Sequence, residues 1–228
     1  IVNGLVGSEM CIRDRHKVVK EFVNENYQLH QLFTADSSLF SSHQAIVVSQ
    51  SEMKAMSALK MPSDALAVFA KPNEQRLSQS KLILALESIQ DPGNLGTIIR
   101  LCDWFCIQDI VCSSDTVDCY NPKVIRSTMG SLARVQVLYR DLQAWLAGMQ
   151  DCQIVATSMD GQSVYEFAFG SPTVLVIGNE GRGLSKQMQE LATNVVSIPR
   201  YGGAESLNAA MATGIIVAEA RRKNPIGK

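Results

Sequence analysis

The chain has 228 residues, 46% of them hydrophobic and 19% charged, with 21 Lys+Arg against 22 Asp+Glu for a formal net charge of -1. That is enough apolar sequence to bury a core of one or two domains. The near-neutral balance excludes a globally basic nucleic-acid binder but leaves a local basic patch open.

Six cysteines are present, Cys11, Cys102, Cys106, Cys112, Cys119 and Cys152, with no CxxC pair. Most fall in apolar runs, which reads as free buried thiols in a reducing compartment, with neither a metal site nor a disulfide framework. No apolar run reaches the length of a membrane span, and no basic start followed by an apolar core opens the chain. A cytoplasmic protein without membrane association is expected.

Residues 1–15, IVNGLVGSEMCIRDR, carry neither helical nor strand periodicity. They resemble translated sequencing-adapter read-through, so they are expected to be non-native and stay outside the fold reading. From His16 to Lys71 helical and extended patterns alternate. HKVVKEFVNEN places Val18, Val19, Phe22 and Val23 on one side of a helix. QLHQLFTA, AIVVS and DALAVFA read as strands, and SQSEMKAMSAL as a helix with Glu52 in a capping box. This span, 16–71, is a small α/β unit, and the polar stretch 72–80 is its linker.

Residues 81–228 repeat strand, loop and helix. LILALE, DIVCS, QIVATS, TVLVIGN and NVVSIP are short and apolar throughout, which suits a parallel sheet buried on both faces. Helices are expected at Leu95–Trp104, Pro122–Leu132, Leu142–Met149, Ser185–Ala192 and Glu205–Arg222. Alternation of this kind predicts an open α/β sheet, whose ligands bind beyond the carboxyl ends of the strands.

Three loops in that position are unusual. The first, SIQDPGNLGT, has strong turn chemistry at Asp91–Asn94, a glycine at Gly96, and Arg100 about a turn and a half into the next helix. Asn94 and Arg100 are expected to face one crevice. The second, GNEGRGLS, has three glycines in six positions and a single acid, Glu180. Its GxxGxG order is not the dinucleotide fingerprint, and no P-loop lysine follows, which disfavours a phosphate cradle and a nicotinamide oxidoreductase. The third, IPRYGGAESLNAAMATG, puts Glu205, Ser206 and Asn208 where a helix starts. Glu205 and Ser206 are explained there as caps, whereas Asn208 inside the first turn is not. Each loop alone also reads as an ordinary capped turn; the three together point to a ligand site.

These stretches, NLGTIIR, IGNEGRGLS and IPRYGGAESLNAAMATGIIVAEA, resemble the three motifs of the SpoU/TrmH-type RNA ribose methyltransferases of the SPOUT superfamily, over roughly Leu82 to Arg222. The resemblance implies a parallel-sheet SPOUT catalytic domain with a C-terminal deep trefoil knot. Residues 16–71 resemble the substrate-binding domain that precedes it, which normally begins earlier, so that domain is expected to be truncated. The cofactor implied is S-adenosylmethionine, and the acceptor a ribose 2′-hydroxyl of RNA, ribosomal ahead of transfer RNA. A homodimer through the knot region is also implied.

Carried over by motif position, Asn94, Arg100, Glu180, Ser206 and Asn208 take the catalytic places, with Arg100 at the hydroxyl. Gly178, Asn179, Glu180, Gly181, Gly183, Ile198, Ser206 and Leu207 take the cofactor places, largely through backbone and apolar contact. Lys123 and Arg126, three apart on one helical face, are candidates for RNA phosphate. Cys106 stands where the family usually has glycine, so a slightly strained turn is expected there. A non-catalytic RNA-binding protein of the same fold is the alternative, disfavoured by the complete residue set.

Overall fold

A computed structural model describes residues 10–14 as backbone, and 16–40, 44–57, 64–72, 77–78 and 80–225 in full. The chain divides into two compact units, Ile1–Gln75 with Met129–Ala133, and Arg76–Thr128 with Arg134–Lys228. The division at Gln75 falls inside the expected linker, much of which lies outside the described residues. The return of Met129–Ala133 to the first unit was not foreseen from the sequence.

The first unit is a four-stranded sheet with two helices. Its elements are β1 (Met10–Asp14), α1 (His16–Asn24), β2 (Leu29–Thr34), β3 (Ile46–Val47), α2 (Gln50–Met56) and β4 (Ala65–Ala70). The sheet order is β1-β4-β2-β3, with β4 antiparallel to both neighbours. Val18, Val19 and Phe22 are the buried face of α1, as the helical spacing predicts. The α2 capping box is present: Ser49 accepts from the Glu52 N–H, and the Glu52 carboxylate accepts from the Ser49 N–H at 2.8 Å. One expectation changes. Met10–Asp14, left out of the fold reading for want of periodicity, pairs with β4 from Met10↔Ala70 to Asp14↔Leu66. A strand edge offers backbone donors and acceptors to any extended segment, so such pairing requires no side-chain pattern.

The second unit is a six-stranded sheet, parallel at every pairing, in the order β10-β8-β9-β5-β6-β7. Its elements are β5 (Leu82–Leu86), α3 (Pro92–Trp104), β6 (Asp109–Ser113), α4 (Pro122–Thr128), β7 (Gln136–Arg140), α5 (Leu142–Ala147), β8 (Gln153–Ser163), β9 (Thr173–Ile177), α6 (Lys186–Leu191), β10 (Asn194–Ser197) and α7 (Ala209–Lys223). Every residue of β5 and β9 is buried, which is why neither strand alternates in the sequence. Burying such Val, Leu and Ile side chains is worth about 1.5–3 kcal/mol each.

Several elements differ from the sequence reading, β8 among them, which runs on to Ser163, five residues past QIVATS. β7 was missed because it is an edge strand in which only Leu138 is buried. α4 stops at Thr128, four residues short of the expected Leu132, because Met129 and Gly130 both take positive φ, +53° and +100°, a conformation no right-handed helix continues through. α3 begins at Pro92, three residues before the expected Leu95: Asp91 accepts from the Asn94 N–H at 2.8 Å and Pro92 fills the first helical position, where a missing N–H costs nothing. α7 begins at Ala209, so Glu205 and Ser206 do not cap it. Asn208 does, accepting from Ala210 N–H at 3.0 Å and Met211 N–H at 3.2 Å. An asparagine that looked misplaced inside a helix is instead its cap.

The turn after α3 shows the strain expected at Cys106. Its φ is +51°, and its N–H and that of Ile107 bond back to Asp103 and Cys102 carbonyls at 3.1 and 2.8 Å, closing the helix in a Schellman turn. A β-carbon costs about 1–2 kcal/mol in that conformation. Cys106→Gly is therefore expected to raise stability by about 1 kcal/mol, read by denaturant unfolding. Cys106 is exposed, contrary to a uniformly buried set of thiols; Cys102, Cys112 and Cys119 are buried and Cys152 half-buried. Burial pushes the Cys102 and Cys112 thiols up, which keeps them unreactive. Among the described residues no helix is long and apolar enough to cross a membrane.

Candidate active site

β5 and β9 are neighbours in parallel register, Leu86 opposite Ile177, so their loops leave the sheet side by side. From β5 the chain passes through α3 to β6 on one side. From β9 it passes through α6 to β10 at the opposite edge. The crevice where these directions part is the switch point at which open α/β sheets bind ligands. Two of the three motif loops lie there.

The loops are stitched together. Asn179 donates from Nδ2 to the Ser88 carbonyl at 2.9 Å, and its Oδ1 accepts from the N–H groups of Gly181 and Arg182 at 2.9 and 3.2 Å. The Gly183 N–H returns to the Asn179 carbonyl at 2.8 Å, and the Ser185 N–H donates to Glu87 Oε2 at 2.8 Å. Glycine is required at two points of this turn. Gly183 has φ +68°, and a β-carbon on Gly178 would stand 2.5 Å from the Gly183 carbonyl carbon. Gly181 has ordinary room, its nearest neighbour being Asn179 Oδ1 at 3.6 Å. Gly178→Ala is accordingly expected to force the loop open and cost about 1–3 kcal/mol, read by denaturant unfolding, while Gly181→Ala is tolerated. Gly96 serves packing: a β-carbon there would meet Ser127 Cβ at 2.3 Å, so α3 lies close against α4.

The third loop joins through side chains. Asn94 Nδ2 donates to Glu180 Oε1, and Asn208 Nδ2 donates to Asn94 Oδ1 at 2.7 Å. Asn208 Oδ1 in turn accepts the first N–H groups of α7. Donor and acceptor chemistry orients the whole relay. A carboxylate only accepts, so the Asn94 amino group must face Glu180 and its oxygen must face the Asn208 amino group. The relay holds one residue from each motif: Asn94 in the first turn of α3, Glu180 86 residues further on and Asn208 114 residues further on.

The other sequence-derived candidates are not drawn into it. Arg100 is exposed on α3, on the face opposite the buried Leu95, Ile98, Ile99 and Cys102. It stands six positions after Asn94, about 120° from it around the helix. Arg100 and Ser206 make no hydrogen bond or ion pair among the described residues, and Ser206 is exposed. Ile198 is half-buried; Leu207 is 48% exposed and Tyr201 94%. Lys123 and Arg126 are both exposed on α4. Sequence reasoning missed Glu87, Ser88, Ser113 and Asp115, polar residues at the ends of β5 and β6. Their only sequence signal is polarity immediately after a buried strand.

The SpoU rRNA methylase family model matches residues 81–218, more than half of the chain. The chain belongs to the SpoU rRNA methylase family. It is 31% identical over 184 residues to the 23S rRNA (guanosine(2553)-2′-O)-methyltransferase RlmP of Bacillus subtilis, covering 79% of this chain and 74% of that one. A solved TrmH-family structure from Porphyromonas gingivalis, 31% identical, superposes with a TM-score of 0.87 over 94% of this chain and 90% of its own. The SpoU methyltransferase AviRb of Streptomyces viridochromogenes, solved with S-adenosylmethionine, is 26% identical, with a TM-score of 0.83 over 97% and 92%.

The chain is thus an RNA methylase of that family, and S-adenosylmethionine is the group bound in the AviRb structure. The residues present fit that group. Ile198 and Leu207 are apolar side chains left partly or largely open, the Gly181–Gly183 turn exposes backbone, and Glu180 supplies an acid beside it. An adenosine bearing a positively charged sulfur is matched by that combination.

Proposed function

We propose that this RNA 2′-O-methyltransferase acts on ribosomal RNA, with Arg100 at the acceptor hydroxyl. In this reading the loops after β5, β9 and β10 surround S-adenosylmethionine. The observation that carries the reading is the Glu180–Asn94–Asn208 relay, which ties the three motif loops into one oriented unit. The methyltransferase relatives favour catalysis over a non-catalytic RNA binder of the same fold.

When bound, the cofactor supplies an electrophilic methyl group on a positively charged sulfur. The chain's own residues do the rest. A ribose hydroxyl is a weak nucleophile and must shed its proton as the oxygen bonds carbon. A guanidinium keeps its own proton, so Arg100 stabilises the developing alkoxide and the proton leaves to water or a phosphate oxygen. Gly178, Asn179, Glu180, Gly181, Gly183, Ile198, Ser206 and Leu207 hold the cofactor through backbone and apolar contact. Ser206 closes on the site from the third loop, and Lys123 and Arg126 meet RNA phosphate in contacts that carry no sequence information. The 23S rRNA substrate of the Bacillus subtilis relative, together with the additional first unit, favours ribosomal over transfer RNA.

The same reading includes a trefoil knot and a cytoplasmic homodimer. From β10 at one sheet edge the chain goes on to α7, which packs against α3. At the end of α7, Lys223 Nζ donates to the carbonyls of Tyr165 and Phe167 at 2.7 and 2.8 Å, on the connection between β8 and β9. A knot would require the chain to thread a loop closed by earlier strands, and this contact puts the end of α7 against one such connection. Trp104 on α3, Tyr201 before α7 and Met211 on α7 are 82%, 94% and 62% exposed, and a twin subunit would cover them.

Ribose-methylation mapping of ribosomal and transfer RNA from a strain lacking the gene, against its parent, tests the substrate. One 2′-O-methyl lost from ribosomal RNA is the expected result. Loss from transfer RNA alone would move the assignment.

A further inference from the structure

Ser88 follows β5 and takes φ +57°, a left-handed conformation that an L-residue with a β-carbon adopts only when its surroundings hold it there. Its surroundings are specific. The Ser88 hydroxyl donates to Asp115 Oδ2, and the Ser113 hydroxyl donates to Asp115 Oδ1 at 2.6 Å. The Ser88 N–H donates to Ser113 Oγ at 2.8 Å. One residue on, the Ile89 N–H donates to Thr116 Oγ1 at 3.2 Å. In this conformation the Ser88 carbonyl receives Asn179 Nδ2 at 2.9 Å, and Asn179 organises the turn from Gly178 to Gly183. The two hydroxyl donors, Ser113 first, hold the Asp115 carboxyl below its usual range, in keeping with a carboxylate that stays available to both.

We propose that Asp115 is a positioning residue for cofactor binding: its carboxylate locks Ser88 left-handed, and the Ser88 carbonyl then fixes Asn179 and the Gly178–Gly183 turn. Asp115 touches neither cofactor nor RNA; it acts through one backbone conformation. The proposal rests on the reading of that turn as the cofactor loop.

A glycine at position 88 separates this role from general support, because glycine adopts positive φ without help. The probe is S-adenosylhomocysteine, titrated by calorimetry into the full chain. Asp115→Ala is expected to bind it about tenfold more weakly than the natural chain, in line with the penalty of left-handed backbone. Ser88→Gly binds as the natural chain does, and Ser88→Gly added to Asp115→Ala restores the affinity. Ser88→Ala, which keeps the β-carbon and loses the hydroxyl, weakens binding like Asp115→Ala. It supplies the contrast with Ser88→Gly even if Asp115 variants fail to fold. Unchanged affinity in Asp115→Ala, failed rescue by Ser88→Gly, or equal affinity of Ser88→Ala and Ser88→Gly would overturn the proposal. A natural chain that does not bind S-adenosylhomocysteine would instead sink the cofactor-loop reading.

Discussion

Arg100→Ala is expected to lose methyl transfer by about 10²–10³-fold while S-adenosylhomocysteine binding is largely intact, since one donor aimed at developing negative charge is worth about 2.7–4 kcal/mol in the transition state. The asymmetry follows from where Arg100 sits. It stands exposed on α3, engaged by no hydrogen bond or ion pair among the described residues, and outside the relay that shapes the loops. Its removal leaves the cofactor loops as they are. It also leaves the fold intact, because α3 is held by Leu95, Ile98, Ile99 and Cys102 on the other face. Arg100→Lys keeps the charge but not the planar fork of donors, and intermediate activity is expected. The check is single-turnover methyl transfer beside calorimetry on the same preparations. Full activity in Arg100→Ala would remove Arg100 from the acceptor hydroxyl.

Asn94→Asp has the second large effect and a diagnostic pH dependence. Asn94 is the hub: it donates to Glu180 and accepts from Asn208. Aspartate keeps the shape and the acceptor for Asn208 but presents an acid to an acid. Two carboxylates in hydrogen-bond contact do not both ionise readily, so the pair holds one proton to a higher pH than either acid alone would. Below that pH the shared proton bridges the two oxygens much as the Asn94 amino group does. Above it the charges repel and the loops part. Activity relative to the natural chain is therefore expected to fall about 10²-fold at neutral pH and to recover as pH is lowered, since a misplaced loop alone costs on that order. Asn94→Ala, with nothing to protonate, shows the loss without the recovery. A flat profile for Asn94→Asp would mean that the Asn94–Glu180 contact does not organise the site.

Much of this fold is visible in the chain because burial on both faces leaves an unmistakable pattern: LILAL and TVLVI are apolar at every position and form β5 and β9. What escaped the sequence reading escaped for physical reasons. β7 lies at an edge and buries one side chain, so its pattern is diluted. The α7 boundary slipped because Ser206, Glu205 and Asn208 are all capping residue types, and only the geometry of the Ala210 and Met211 N–H groups selects Asn208. The site divides in the same way. The candidates Asn94, Glu180 and Asn208 were legible from their loops, but not that they bond to one another, since contacts across 86 and 114 residues have no local signature. Asp115 was illegible altogether: its role passes through the backbone of Ser88, and a serine before a turn does not announce a left-handed φ.

The central claim is that these loops deliver a methyl group to a ribose hydroxyl. The direct measurement is to incubate the full chain with unmethylated ribosomal RNA and S-adenosylmethionine labelled in its methyl group, then digest the product to nucleosides and separate them. The label is predicted in a single 2′-O-methylnucleoside, which also survives as an alkali-resistant dinucleotide, with its rate of incorporation about 10²–10³-fold lower for Arg100→Ala. Label in a methylated base, or equal label with Arg100→Ala, would contradict the account.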